Sequence, residues 1–288
     1  MSPYSNQYYQ ELQKGSLQSA QEVVPIVLEL IQPLSVIDIG CGIGEWLSVF
    51  KEHGVEEIWG IDGEWIDKDL LLFPSEQFHS IDLCKPFIIC RQFDLVVSLE
   101  VAEHLPPECA ETFVDSLTHL GPVILFSAAL PLQGGVDHLN EQWPDYWAKH
   151  FFNRGYLAID CLRKKIWQNE NVECWYTQNI FFYVKKDYLK NNSLLQKEYE
   201  YQTLYSLSIV HPRHYLKQMV ELNDWKVGLQ KQVAELNDWG IGLQKQVAEL
   251  EELKPGRVSL KKVLFALPSL TMHAIYTKIN RIFSRNNS

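Results

Sequence analysis

Several things that would announce a function class are missing from this chain. No apolar run reaches the roughly 18 residues that a membrane span requires. The amino-terminal stretch Met1–Pro25 lacks the basic start and apolar core of a secretory signal. These absences lead us to expect a soluble, cytoplasmic protein. The six cysteines, Cys41, Cys84, Cys90, Cys109, Cys161 and Cys174, include no CxxC pair and no Cys/His spacing suited to zinc. Several lie in apolar runs, so we read them as reduced core thiols and expect no metal. Basic residues are also scarce, 26 Lys and Arg against 36 Asp and Glu. A formal charge of −10 argues against a surface that tracks phosphates, and no nucleic-acid partner is expected.

What is present suffices for a globular α/β protein: 288 residues, 46% hydrophobic and 22% charged. Between residues 35 and 184, short β-branched or aromatic runs alternate with helix-like segments, the pattern of βαβ units around a mostly parallel sheet. The runs predict strands near Val36–Ile39, Ile58–Ile61, Phe78–Ile81, Leu95–Ser98, Val123–Phe126, Ala158–Leu162 and Ile180–Val184. Helices are predicted over Glu45–His53, Pro107–Leu117 and Asp145–Asn153, the last stopped by Gly155.

Three regions follow, expected at 1–190, 191–253 and 254–288. In the second, LNDWKVGLQKQVAE (Leu222–Glu235) is followed at once by LNDWGIGLQKQVAE (Leu236–Glu249), a period of two heptads. Leu222, Trp225, Leu229, Leu236, Trp239, Leu243, Leu250 and Leu253 fall on one seam, interrupted by Gln232 and Gln246. A short coiled coil over 222–253 is the expectation. Gly228, Gly240 and Gly242 weaken the helix by about 1 kcal/mol each, so a partner strand, from a second copy or another protein, would be needed. The alternative is a single exposed helix. In the third region, seven Lys or Arg and no Asp or Glu are interleaved with Val263, Leu264, Phe265, Ile275, Ile279 and Phe283. A basic amphipathic tail over 257–285 could meet an anionic membrane or fold onto protein.

The strongest local signal is VIDIGCGIGEW. An apolar strand is followed by Asp38, then Gly40, Cys41, Gly42 and Gly44, then a helix. Glycines at a strand-to-helix turn let a ligand approach the backbone. A dinucleotide fingerprint would place glycine at position 45, where Glu45 stands and would repel a pyrophosphate. A nicotinamide oxidoreductase is thereby disfavoured. Asp62, with Gly63 in WGIDGEW, follows Gly40 at about the interval expected of an acid that holds ribose hydroxyls. Asp82 follows the third strand. Acids at successive strand ends suit a cationic sulfonium better than a polyphosphate.

In order, VIDIGCGIG, WGIDG, SIDL and FDLVVSLEVAEHLP resemble the class I S-adenosylmethionine-dependent methyltransferases over about residues 20–190. The resemblance implies an α/β, Rossmann-like, doubly wound seven-stranded sheet of order 3-2-1-4-5-7-6 with the seventh strand antiparallel. It also implies S-adenosylmethionine as cofactor. Asp38 and the loop from Gly40 to Gly44 would then hold its methionine part, Asp62 the ribose, and Asp82 with Leu83 the adenine edge. Glu100 would line the methionine end.

Methyl transfer from a sulfonium is an in-line displacement, so the protein aligns donor and acceptor and, for a hydroxyl acceptor, removes a proton. His104 in EVAEHLP and His138 in GGVDHLNEQWPDYW are the candidate bases. Asn140, Glu141 and Gln142 beside Trp143 and Tyr146 suit a sugar or another polyhydroxylated acceptor. Trp175, Tyr176 and Gln178, ahead of the last strand, are expected at the same mouth. No NPPY-like motif appears, which disfavours an exocyclic DNA amine. The expectation is methylation, at oxygen, of a small or carbohydrate-like acceptor. Its rival is a silent methyltransferase-fold scaffold whose coiled-coil tail mediates assembly.

Overall fold

The structure is a computed structural model, and it describes residues 6–202 and 207–253. The basic tail from 254 onward lies outside the described residues.

In chain order the elements are α1 (Asn6–Ile31), β1 (Ser35–Ile39), α2 (Glu45–Glu52), β2 (Glu57–Asp62), β3 (Phe78–Ser80), β4 (Leu95–Leu99), α3 (Ala110–Leu120) and β5 (Val123–Ser127). They continue with α4 (Pro144–Phe152), β6 (Tyr156–Ile159), α5 (Leu162–Ile166), α6 (Cys174–Asn179), β7 (Phe181–Lys185), α7 (Lys186–Leu189), α8 (Ser193–Gln202) and α9 (Pro212–Leu253). One seven-stranded sheet runs β3-β2-β1-β4-β5-β7-β6, with β7 antiparallel to both its neighbours and every other pairing parallel. The implied order is therefore the observed one.

Strands β1, β4 and β5 are buried along their whole length. That is why SVIDI, LVVSL and VILFS read as nearly continuous apolar runs and not as alternating ones. Successive side chains still feed opposite layers. Val36, Val97, Leu125 and Phe182 join the layer under α1, α2 and α5, whereas Ile37, Val96, Ile124 and Phe181 join the layer under α3 and α4. In the second layer Phe126, Phe151, Trp147 and Tyr183 form a stacked and edge-to-face cluster.

The observed elements depart from expectation at two places. The sixth strand, expected over Ala158–Leu162, runs Tyr156–Ile159. Tyr156 is anchored by its hydroxyl, which donates to the carbonyls of Gly121 and Thr118, while Asp160 ends the strand to pair with buried Arg163. The segment expected as one helix from Pro107 opens with a separate single turn, Pro107–Cys109, before α3 proper runs on to Leu120.

Chain contacts divide the molecule into Met1–Leu216 and Lys217–Ser288. The first unit thus extends past Lys190. Helix α8 packs on α1 and β6. Beyond it, the His211 ring bonds the Trp167 carbonyl and Arg213 donates to the carbonyls of Asn169 and Val172. In the second unit the described part is the continuation of α9, with no break at Gly228, Gly240 or Gly242. Trp225, Val227, Trp239 and Ile241 are exposed on it. Among the described residues no helix is long and apolar enough to cross a membrane.

Candidate active site

The parallel strands deliver their carboxyl ends to one edge of the sheet, the usual ligand-binding edge of this architecture. At the end of β1 the chain turns through Gly40, Gly42 and Gly44, all with positive φ (81°, 55° and 94°). Two of these positions tolerate nothing larger. A Cβ on Gly40 would lie 2.3 Å from a Val101 methyl, and one on Gly44 2.2 Å from the Phe73 ring. The amides of Gly40 and Cys41 both donate to the Ile61 carbonyl, tying the turn to β2.

Asp62, at the end of β2, completes the turn from the other side. One of its oxygens accepts from the Gly42 amide at 2.8 Å and the other from the Gly63 amide at 2.6 Å. Each oxygen keeps a further lone pair for a ligand hydroxyl. Asp38, Glu45 and Asp62 are all buried, and among the described residues none of them enters an ion pair. Burial raises all three carboxyl groups above the ordinary range, and Asp62 and Glu45 push Asp38 up further. Three buried carboxyl groups around a glycine loop, with no cationic partner among the described residues, disfavour phosphate and favour a cation. A sulfonium with an α-ammonium group fits that set, and of the three glycines it is Gly42 over which the space is open, a Cβ there meeting only a Glu45 oxygen at 3.6 Å.

The third strand-end acid behaves differently. The Asp82 carboxylate is exposed, paired with Lys85 at 2.9 Å and bonded to the Cys84 amide, and the Lys85 ammonium holds it below its usual range. Its side chain is thus spent on its own turn, beside the buried Leu83. Trp65 was not among the residues expected here. Its exposed indole lies directly over Gly63, whose hypothetical Cβ would meet the ring at 2.1 Å. The signal for it was the second Trp of WGIDGEW.

Beyond β4 the character of the site changes. Glu100 adopts the left-handed region (φ 56°), and its carboxylate accepts from Gln133 at 3.0 Å and Asn179 at 3.1 Å. Burial raises its pKa despite those bonds. Glu103 is fully buried, its backbone carbonyl accepting from the amides of Leu139 and Asn140 while neither carboxylate oxygen completes a hydrogen bond. Those two amides bring the loop after β5 against the turn after β4. The rings of His104 and His138 consequently meet edge to face, centroids 4.8 Å apart. His138 Nδ1 lies 2.9 Å from Glu141, whose carboxylate is itself held by the amides of Leu132 and Gly134.

Other expected acceptor residues divide into two groups. Asn140 is buried beside this cluster with its carbonyl oxygen on Gln142 and its Nδ2 without a partner, and Trp143 stands exposed at the head of α4. Tyr146 packs edge-on against Trp147 and His150. The run before β7 is largely taken up by the fold. Tyr176 bonds Ser16 in α1 and packs on Trp46 in α2, and Trp175 packs against the same layer. Gln178 is fully buried, donating to the Ile209 carbonyl and accepting from the His211 amide. The residue of this run that reaches the Glu100 cluster is Asn179.

A family model described as a methyltransferase domain matches residues 10–158. No match was found among curated proteins. Similar solved structures include DesVI of Streptomyces venezuelae, at 16% identity and a TM-score of 0.46, covering 62% of this chain and 96% of that one. Magnesium protoporphyrin IX methyltransferase from Synechocystis PCC 6803, with bound SAH, shares 18% identity with a TM-score of 0.46 over 65% of this chain and 90% of that one. CalS10, an amino pentose methyltransferase from Micromonospora echinaspora, shares 15% over 65% of this chain and 100% of that one, with a TM-score of 0.45. On the family match and the sheet order together, the chain belongs to the methyltransferase-domain family and is a class I S-adenosylmethionine-dependent methyltransferase.

Proposed function

We propose that the acceptor is a small polyhydroxylated molecule, of carbohydrate kind, and that the methyl group goes to one of its oxygens. The observation that carries this reading is the pair of imidazoles, His104 and His138, facing one another beside the carboxyl-lined glycine loop, with Glu141 fixing the second. A hydroxyl is a poor nucleophile until its proton is removed, whereas a neutral amine needs no such help. The site invests its polar groups in that task.

S-adenosylmethionine supplies an electrophilic methyl group when bound. On the protein's side, Asp62 and the amide-rich turn orient the ribose, and Asp38 and Glu45 offset positive charge. Glu100, held by Gln133 and Asn179, closes the end of that cradle. On the acceptor side Glu141 holds one ring nitrogen of His138, so that the other serves the hydroxyl; His104 is the second candidate for the proton. Exposed Trp143 offers a face on which a sugar ring can stack, and the orphaned Asn140 amide offers a donor. These domain duties would rest with the part of the chain before α9. The repeat helix, with Trp225 and Trp239 exposed, would pair with a second copy and add no chemistry of its own.

The experiment is calorimetric titration of the full chain with S-adenosylmethionine, S-adenosylhomocysteine and NADH, then a screen of hydroxylated acceptors by release of S-adenosylhomocysteine. Micromolar binding of the first two ligands and turnover with sugars but not with amines supports the proposal. Asp62→Ala should weaken the first two by about 1 to 3 kcal/mol, since two amide partners and the ribose contact are lost together. Turnover confined to amines would overturn the oxygen assignment, and no binding would move the weight to a scaffold acting through α9.

A further inference from the structure

We propose that Glu103, His104 and His138 form a binding site for one first-row divalent metal ion at the acceptor end of the active site.

The three side chains come from two segments well apart in the sequence, the turn after β4 and the loop after β5. Each offers one donor atom, and those atoms lie within 4.8 Å of one another. Donors on an octahedral ion with bonds of about 2.1 Å sit roughly 3.0 Å apart when adjacent and roughly 4.2 Å apart when opposite, so binding draws the three donor atoms together around the ion. The second, independent sign is Glu103 itself. Its carboxylate has no exposed surface and neither oxygen accepts a well-formed hydrogen bond, although the amides of Glu103 and Ala129 and the carboxyl group of Glu100 lie near it. A carboxylate in that setting is costly unless something cationic meets it. Its neighbour Glu100 adds charge of the same sign, and no Lys or Arg pairs with Glu103 among the described residues.

Both imidazoles are also dressed as ligands usually are. A metal-bound histidine commonly gives its second ring nitrogen to a carboxylate or a backbone carbonyl, which fixes its tautomer and aim. His138 meets Glu141 through Nδ1 at 2.9 Å, and the His104 ring bonds the backbone of Asp137. That leaves Nε2 of His138 for a metal. Gly135 lies against this nitrogen, and a Cβ there would come within 2.2 Å of it, so only glycine keeps the space open.

The donor set selects the ion. Two imidazoles and one carboxylate suit Mn²⁺, Fe²⁺, Co²⁺ or Zn²⁺, whereas Mg²⁺ and Ca²⁺ prefer oxygen throughout. Three protein ligands leave positions open, and His104 is reached by solvent. Vicinal hydroxyls of an acceptor could occupy those positions. Bound to the ion, a hydroxyl gives up its proton to water far more readily. This catalytic consequence rests on the oxygen-methylation reading above; the metal site itself does not. His138 would then act as a ligand and not as the base.

The test uses the full, untagged chain freed of metal by chelation and dialysis. Titration with Mn²⁺ followed by paramagnetic resonance, and with Co²⁺ followed by its visible absorbance, should show one equivalent bound, with a Co²⁺ band characteristic of nitrogen ligation. Glu103→Gln and His138→Gln should each weaken binding by at least tenfold, while Glu141→Gln weakens it less. Circular dichroism checks that each variant folds. His138 lies on a loop and is partly exposed, so that variant remains informative if Glu103→Gln does not fold. Absence of uptake by the parent chain, or unchanged affinity in folded His138→Gln, overturns the site. Because uptake is read without methyl transfer, uptake with no methylation of hydroxyls would sink the functional reading and leave the site standing.

Discussion

The two halves of the active-site edge are built by opposite means. On the β1–β2 side the groups come from two short stretches, Asp38–Glu45 and Asp62–Gly63, and the work is done largely by backbone: three glycines of positive φ and amides tied to Ile61 and Asp62. On the β4–β5 side it is done by side chains drawn from three separate stretches, Glu100–His104, Gln133–Gln142 and Asn179. A cofactor common to many enzymes can be held by a geometry that any apolar strand and glycine turn provide. The second half, where the proposed acceptor site adjoins Glu100 at the end of the cofactor cradle, needs specific side chains, and most of these sit on loops whose exchange leaves the sheet untouched.

The contrast can be broken first where it is most rigid. Gly40→Ala combines the strain of an L-residue at positive φ with a collision against Val101. It should cost about 2 to 5 kcal/mol of stability. Denaturant unfolding measures it, and adding Val101→Ala should recover the collision part but not the strain. Full tolerance of Gly40→Ala would mean that the turn is looser than described. Next in size, His138→Ala should leave cofactor affinity nearly unchanged while turnover falls about a hundredfold or more. A parallel fall in S-adenosylmethionine affinity would erase the division between the halves.

The smallest effect sharpens the charge argument. Asp38, Glu45 and Asp62 have carboxyl groups raised by burial, so part of their population is protonated in the free protein at mildly acidic pH. A cation favours the ionised forms, and its binding therefore releases protons. Affinity for S-adenosylmethionine should rise with pH, by at most about tenfold per unit for each proton released, until the acids are ionised without ligand. S-adenosylhomocysteine, lacking the sulfonium charge, should show a shallower slope in calorimetry between pH 5 and 8. Parallel slopes would show that these acids do not sense the sulfonium.

Legibility followed the same division. The alternation of short apolar runs and helical segments located the strands, VIDIGCGIG and WGIDG marked the acids of the first half, and the resemblance carried by those motifs with SLEVAEHL implied the sheet order that is observed. The sixth strand slipped because CLRKK continues the apolar run of LAID, and only the Asp160–Arg163 pair marks its end. Tyr176 and Gln178 resembled mouth residues because they precede a strand. Their partners, Ser16 for the first and the 209–211 segment for the second, lie far from them in the chain. Glu103 escaped notice for a related reason. As a letter it is one acid in a helical turn, and its burial without a partner arises only when Leu139 and Asn140 close over it.

Periodicity and glycine spacing are local properties, set by which residues can turn, pleat or approach a ligand within a few positions; they placed the strands and the glycine turn, and the motifs there carried the resemblance that implied the sheet order and the cofactor. The meeting of His104 with His138, the orphaned carboxylate beside them and the packing of residues 207–216 onto the catalytic unit belong to tertiary structure alone. They depend on distances between segments far apart in the chain, which no local propensity encodes.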